Sequence, residues 1–130
     1  MVREECLPLV LVVVDSKEAT IGISDGERVE VVWSGESFVM GKHRRGGQSK
    51  ERFARGREQA LKQWYRKVVD VLIDVRGERK IVVGGPSFTK DDFVKHIPGW
   101  LSDEVSDVRC VGYTDENGLY ELLGRSRYGR

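Results

Sequence analysis

The sequence predicts an α/β fold, in which helices flank a mixed five-stranded sheet in the order βββ-α-β-α-β-α. Three observations lead to this prediction. Short apolar segments follow one another closely in the first third of the chain. A long stripe of apolar residues at helical spacing comes next. Two later apolar segments are separated by helical patterns, so we expect them to join the sheet as parallel strands.

The first third of the chain predicts a three-stranded meander. Leu9 to Val14 is continuously apolar, which is typical of a strand buried on both faces. Ala19 to Ser24 alternates between apolar and small or polar residues, and Arg28 to Trp33 is the returning strand. Asp25-Gly26 between them predicts a type I′ turn, with positive φ at both central residues. We expect Ser34-Gly35 to end the third strand.

A long helix and a fourth strand follow. Ser49 is a suitable N-cap, and apolar residues recur every three or four positions to about Val75. Gly77 should end this helix. The segment "KIVVGG", Lys80 to Gly85, is then predicted to be a buried strand.

The last third predicts the remaining helices and strand. Thr89 resembles the start of a capping box with Asp92, in a helix that ends at His96-Ile97-Pro98, and "GWLSDEV" suits a short helical turn. Asp107 to Tyr113 is the predicted last strand. Thr114 should cap a closing helix that runs through Leu123. A flexible tail is expected from about residue 124 to residue 130.

Composition points to one soluble domain spanning residues 1–130. The chain is 39% hydrophobic and 33% charged, and it holds no apolar run of the length needed to span a bilayer. Cys6 and Cys110 are far apart and show no metal-ligand spacing, which favours a reduced, cytoplasmic chain. We expect a monomer without cofactor, metal or membrane contact. Trp33, Trp64 and Trp100 occur in apolar patterns and are expected in the core.

Positive charge is concentrated between Lys42 and Arg57. This stretch holds seven Lys or Arg residues and one acid, a net charge of +6, whereas the other 114 residues hold 15 basic and 20 acidic residues, a net charge of −5. A strongly positive pole on a mildly negative body attracts polyanions, and nucleic acid is the first partner to consider.

The tripeptide Gly46-Gly47-Gln48 lies inside this basic stretch. Glycine lacks Cβ, so it accepts positive φ and allows the backbone to approach a substrate closely. Gln48 has no proton to lose near pH 7, so its chemistry is limited to orientation and hydrogen bonding.

The surrounding residues resemble the catalytic loop of class I translation release factors of the archaeal and eukaryotic type. Gly41-Lys42-His43 precedes the tripeptide, and Ser49 and Arg52-Phe53 follow it. Two later segments, "GGPSFTKDDF" and "GYTDENGLYELL", are similar to later parts of that factor's middle domain.

The resemblance implies hydrolysis of the ester of peptidyl-tRNA in the peptidyl transferase centre of the large ribosomal subunit. It implies that Gly46, Gly47 and Gln48 are catalytic, that the Gln48 backbone N–H stabilises the leaving oxygen, and that the ribose 2′-hydroxyl carries the proton. The expected RNA-binding residues are the flanking polar and basic ones: Lys42, His43, Arg44, Arg45, Ser49, Lys50, Arg52, Arg55 and Arg57.

The expected partners are large-subunit rRNA and the P-site peptidyl-tRNA, with a GTPase or ATPase if the chain belongs to a longer factor. The sequence suits either an excised middle domain or a stand-alone relative, whose hydrolysis would be codon-independent, as in ribosome rescue. One alternative is a non-catalytic ribosome- or RNA-binding module that retains the loop. A second is a metal-dependent nuclease, in which Asp15 and either Asp70 or Asp74 would hold two metal ions.

Overall fold

The architecture is seen in a computed structural model, which describes residues 8–37 and 50–129, with side chains in the first helix described from residue 55 onward. The strands in these ranges are β1 (Leu9–Val14), β2 (Glu18–Ser24), β3 (Val29–Glu36), β4 (Lys80–Gly85) and β5 (Val105–Cys110). The helices there are α1 (Lys50–Arg76), α2 (Thr89–Lys95), α3 (Gly99–Ser102) and α4 (Glu116–Arg125).

The five strands form one mixed sheet in the order β3-β2-β1-β4-β5. β1 pairs antiparallel with β2 and parallel with β4, so that Val12 is opposite Ile21 on one side and Val83 on the other. β2 and β3 are antiparallel, and β4 and β5 are parallel. The predicted meander and parallel additions are therefore confirmed.

β1 is the centre of the sheet and is buried on both faces. Val10, Val12 and Val14 pack with side chains of α1, α2 and α3. Leu9, Leu11 and Val13 pack with α4 on the opposite face. Burying each such side chain is worth about 1.5–3 kcal/mol, which explains why a continuous apolar run identified this strand.

The β2–β3 hairpin is present, but the predicted type I′ turn is wrong. Gly26 has φ of +102°, whereas Asp25 is not among the described residues with positive φ. The Asp25 carboxylate instead accepts hydrogen bonds from the backbone N–H groups of Glu27 and Arg28 at 2.9 and 3.0 Å. The connection is therefore a longer loop, held by a side chain that satisfies its backbone donors.

The predicted end of β3 is also wrong, because the strand continues through Ser34-Gly35 to Glu36. Ser34 pairs with Thr20, and Gly35 pairs with Ala19. Pairing along the whole of β2 outweighs the local turn preference of these two residues.

Both predicted N-caps in the last third are wrong. Phe88 occupies the N-cap position of α2 without a side-chain hydrogen bond, and Thr89 lies inside the helix. Asp115 caps α4 by accepting from the backbone N–H of Gly118 at 3.2 Å. Thr114 is used differently, since its carbonyl accepts a buried hydrogen bond from the Thr20 hydroxyl at 2.7 Å.

The last strand lies earlier in the chain than predicted. β5 covers Val105–Cys110 instead of residues 107–113, because Val105 already pairs with Ile81 and Cys110 with Gly85. After Cys110 the chain turns toward α4. Its exposed thiol is in no disulfide, and Cys6 lies outside the described residues.

The end of the chain contacts the sheet through Tyr128. Gly124 and Arg125 belong to α4, which extends beyond the predicted end at Leu123. The Tyr128 hydroxyl donates to the Ser106 hydroxyl at 2.9 Å. Arg130 lies outside the described residues, and the flexibility of residues 124–130 stays a prediction.

The three tryptophans differ in burial, so one expectation is wrong. Trp64 is buried and Trp33 is partly buried against it, with ring centroids 6.3 Å apart. Trp100 is 65% exposed, because α3 is one short turn that buries only Leu101. Within residues 8–37 and 50–129, no helix has the length and apolar character of a membrane span.

Candidate functional site

Most of the predicted site lies outside the described residues. This applies to Lys42, His43, Arg44, Arg45, Gly46, Gly47, Gln48 and Ser49. The rest lies on α1: Lys50 and Arg52 belong to its first turn, where only the backbone is described, Arg55 is exposed, and Arg57 is partly buried. The structure thus describes only the part of the site that lies on α1, after the tripeptide in the sequence.

The direction of α1 is set by contacts at the two ends of the sheet. The Trp64 indole N–H donates at 2.9 Å to the carbonyl of Asp15, the residue after β1. At the other end, Arg76 Nε donates at 2.9 Å to the carbonyl of Arg79, beside the start of β4. Gly77, with φ of +60°, ends the helix there as predicted. The helix therefore runs antiparallel to β1.

α1 is longer than the sheet and extends beyond it. Residues 64–76 of an α-helix cover about 20 Å, which equals the length of a six-residue strand such as β1. Residues 50–63 therefore lead about another 20 Å away from Trp64 along the helix axis, beyond the carboxyl end of β1. We call these residues the projecting segment. Within it Leu61 packs on the core, and none of residues 55–59 is buried.

Sequence reasoning missed a basic surface further along α1. Lys62, Arg66 and Lys67 are all exposed. Arg55, Lys62 and Arg66 are separated by seven and four residues, so they lie on one helix face. The spacing of these basic residues along the helix was visible in the sequence. The predicted RNA-binding residues nevertheless included only the neighbours of the motif, up to Arg57.

One acid of the nuclease alternative, Asp15, holds a turn, and the other two are exposed. Asp15 Oδ1 accepts the backbone N–H groups of Lys17 and Glu18 at 2.7 and 2.8 Å, which is turn chemistry. Asp70 and Asp74 are exposed on α1. Among the residues with described positions, no cluster of three or more His, Cys, Asp or Glu side chains has the geometry of a metal site.

Tyr65 lies on the buried side of α1, next to Trp64. Its ring meets Phe93 edge-on at a centroid distance of 6.0 Å and lies 5.1 Å from the ring of His96. Burial, assisted by the negative charge of Asp92, raises the pKa of Tyr65 to about 12. His96 ends α2, as the sequence predicted, and its Nδ1 lies 2.8 Å from the carbonyl of Asp92.

Comparison with known proteins decides the family. The family model described as eRF1 domain 2 matches residues 9–128, a range that includes the basic stretch and the Gly46-Gly47-Gln48 tripeptide. The chain belongs to the eRF1 domain 2 family. The predicted resemblance to the middle domain of these release factors is therefore confirmed.

Relatives of this eRF1 domain 2 chain include two archaeal proteins named peptide chain release factor subunit 1. The protein from Archaeoglobus fulgidus is 42% identical over 124 residues, covering 90% of this chain and 30% of the relative. The protein from Methanopyrus kandleri is 42% identical over 122 residues, covering 89% and 30%. The chain thus spans about a third of the length of these curated relatives.

Solved structures share the fold of this eRF1 domain 2 chain. An archaeal translation termination factor, aRF1, aligns with a TM-score of 0.73 and 22% identity, covering 95% of this chain and 35% of its own. The Pelota protein of Thermoplasma acidophilum aligns with a TM-score of 0.65 and 20% identity, covering 98% and 38%. A chain of a structure described as a model of ribosome-bound archaeal Pelota and ABCE1 aligns with a TM-score of 0.59 and 22% identity, covering 90% of this chain and 32% of its own.

Proposed function

We propose that this domain hydrolyses the ester of peptidyl-tRNA in the ribosomal peptidyl transferase centre, in translation termination or in ribosome rescue in the cytoplasm. The observation that carries the proposal is the family match over residues 9–128, which contains the tripeptide between its basic flanks. The isolated chain is proposed to act without reading a codon.

The proposed reaction is a simple ester hydrolysis. Water adds to the ester carbonyl, the bond to the 3′-oxygen of the terminal adenosine breaks, the peptide leaves as a carboxylic acid, and the tRNA regains a 3′-hydroxyl. Gly46 and Gly47 would allow close backbone approach. The backbone N–H of Gln48 would stabilise charge on the leaving oxygen, a kind of contact whose loss typically costs about 3–4 kcal/mol of barrier.

The projecting segment supports this function mechanically and electrostatically. Its start lies about 20 Å from Trp64 along the helix axis, so it carries cations beyond the carboxyl end of β1. Its cations Arg55 and Arg57, with Lys62, Arg66 and Lys67 further along α1, are proposed to neutralise rRNA phosphates. The neighbour described as ribosome-bound Pelota and ABCE1 favours a ribosomal partner here, and an ATPase partner for a longer factor.

Peptide release on ribosomes tests the proposal. The purified chain would be mixed with ribosomes that hold labelled peptidyl-tRNA at a stop codon, at a sense codon or without a message. We expect release in all three cases, and its loss in Gly47→Ala. Gly56→Ala is the matched control, because a methyl group at Gly56 of α1 would meet no described atom outside the adjoining helix backbone within 4 Å.

Two results would contradict this function. Release that persists in Gly47→Ala would show that the tripeptide takes no part in the hydrolysis. Absence of release in all three cases, with ribosome binding retained, would favour the non-catalytic module.

A further inference from the structure

The turn after β1 contacts both chain segments that border residues 38–49. Three consecutive carbonyls of this turn accept hydrogen bonds from these segments. Asp15 O accepts from Trp64 Nε1 at 2.9 Å, and Trp64 lies on α1, which follows residues 38–49. Ser16 O accepts from the Ser37 hydroxyl at 2.6 Å, and Lys17 O accepts from the Ser37 backbone N–H at 2.8 Å. Ser37 directly precedes residues 38–49.

The side chain of Asp15 holds the shape of this turn. Its Oδ1 accepts from the backbone N–H groups of Lys17 and Glu18 at 2.7 and 2.8 Å, and its own N–H donates to the Glu18 carbonyl at 2.9 Å. These bonds restrict the backbone between Asp15 and Glu18. The three accepting carbonyls therefore keep fixed directions.

Aromatic packing adds a direct contact between the two sides. Trp64 of α1 is 5% exposed, and its ring centroid lies 6.3 Å from that of Trp33 on β3. Strand pairing continues to Glu18 and Glu36, immediately before Ser37. β3 and α1 are thus joined to each other as well as to the turn.

We propose that Asp15, Ser37 and Trp64 form a positioning device, which sets the relative placement of the two segments bordering residues 38–49. The proposal rests on the proposed function, since those residues include the tripeptide. α1 begins about 20 Å from Trp64, so a tilt of about 3° at Trp64 moves the helix start by about 1 Å. A misplacement of that size can cost about 100-fold in rate.

The kinetic test uses variants that remove one hydrogen bond each. Trp64→Phe keeps an aromatic ring but loses the donor to Asp15, and Ser37→Ala loses the donor to Ser16. Each variant should release peptide about tenfold more slowly or worse in a single turnover at a saturating concentration of the chain. Ribosome affinity should stay unchanged. Trp100→Phe and Ser102→Ala are the matched controls, because both residues lie on α3, away from the turn.

Asp15 offers a test by conservative replacement. Asp15→Ala should lower the release rate in the same way, since the turn loses its acceptor. Asp15→Asn keeps a side-chain oxygen that can accept both backbone N–H groups, so it should restore most of the rate. A role of the Asp15 charge in catalysis would instead make the two variants equally slow.

A distance measurement tests positioning without any activity. Spin labels would be placed at Glu30 on β3 and Gln59 on α1, both exposed, in a chain with Cys6 and Cys110 replaced by serine. Pulsed electron paramagnetic resonance should give one narrow distance distribution for the parent chain. The distribution should broaden or shift in Trp64→Phe, Ser37→Ala and Asp15→Ala, but not in Trp100→Phe.

The two readouts separate failure of this inference from failure of the proposed function. Changed distances together with slowed release support the device. Unchanged distances in all three variants overturn it, as do full release rates in all three. Changed distances in a chain that releases no peptide support the device and contradict the hydrolytic function alone.

Discussion

Lys90 donates from its ammonium group to the carbonyl of Ser87 at 2.5 Å, across the loop between β4 and α2. Ser87 has φ of +55°, a region that residues with a Cβ atom rarely adopt. Lys90 is 8% exposed. Burial would lower the pKa of Lys90, but the Cys110 thiol and the Asp91 carboxylate outweigh it and raise that pKa, which favours the charged donor.

Removing this donor should destabilise the fold. Lys90→Met keeps the buried aliphatic stem but leaves the strained loop without its hydrogen bond, so we expect a loss of about 1–2 kcal/mol in the free energy of unfolding. Urea denaturation measures it. Lys95→Met is the control, because Lys95 is exposed at the end of α2. Equal stability of the two variants would contradict the assigned role of Lys90.

Alkaline pH should weaken the fold through Tyr65. Its pKa is about 12 in the folded chain, whereas an unfolded tyrosine titrates near 10. The contribution of Tyr65 to the free energy of unfolding is therefore fully present below about pH 10 and is lost as the pH rises from about 10 to about 12. Tyr65→Phe should reduce this fall, and Phe replacement of the exposed Tyr113 should not. Identical pH dependence of the Tyr65→Phe and parent chains would contradict a stabilising effect of the buried, protonated Tyr65.

The contacts of the last residues predict that the tail is held through Asp107. Asp107 Oδ2 accepts from the backbone N–H of Arg127 at 2.8 Å, and Oδ1 accepts from Arg109 Nε at 2.9 Å. Asp107→Ala should therefore speed tryptic cleavage after Arg127, followed by mass spectrometry, whereas Ala replacement of the exposed Asp103 should not. Equally fast cleavage of the parent chain would show that the tail is free, as the sequence predicted.

The same contact predicts an effect of acid on stability. Burial would raise the pKa of Asp107, but hydrogen bonds from Arg109 and from the Arg127 N–H outweigh it and lower that pKa. The stabilisation is therefore present above the ordinary carboxyl pKa and is lost as the pH falls through the lower folded value. Acid unfolding of Asp107→Ala should show a smaller loss of stability in that range. An unchanged acid profile would mean that these bonds contribute little.

Local patterns predicted the centre of this fold well. The continuous apolar runs of β1 and β4 indicated double-faced burial, because a central strand covered by helices needs apolar residues at every position. The end of α1 followed from Gly77, where only a residue without Cβ adopts positive φ cheaply.

The edges of the fold depended on tertiary contacts that local patterns do not contain. Ser34 and Gly35 favour a turn by themselves, but pairing with Thr20 and Ala19 keeps them in β3. Thr114 is a good N-cap by type, yet its carbonyl accepts from Thr20 and Asp115 caps the helix.

The candidate site was likewise predictable from the sequence only in part. The motif and the charge of its flanks were visible in the sequence, whereas the turn that joins Asp15, Ser37 and Trp64 depends on three distant segments that meet only in the folded chain.

Salt dependence should reveal the basic surface on α1. If Lys62, Arg66 and Lys67 contact phosphates, changing all three to Gln should reduce the log–log salt slope of ribosome binding by roughly two to three. Changing the exposed Lys80, Lys95 and Arg125 to Gln removes the same charge elsewhere and is the control. Equal slopes in the two triple variants would show that only net charge matters.

The most direct test of the central claim compares chemistry with binding in one variant. Peptide release from labelled peptidyl-tRNA would be followed in a single turnover at saturating chain, with ribosome affinity measured in parallel for the parent chain and for Gly47→Ala. We expect a rate that is lower by about 100-fold or more at unchanged affinity, because a Cβ at residue 47 would hinder the close approach of the proposed donor, the Gln48 N–H, to the ester. An unchanged rate, or a loss of rate that saturation restores, would contradict it.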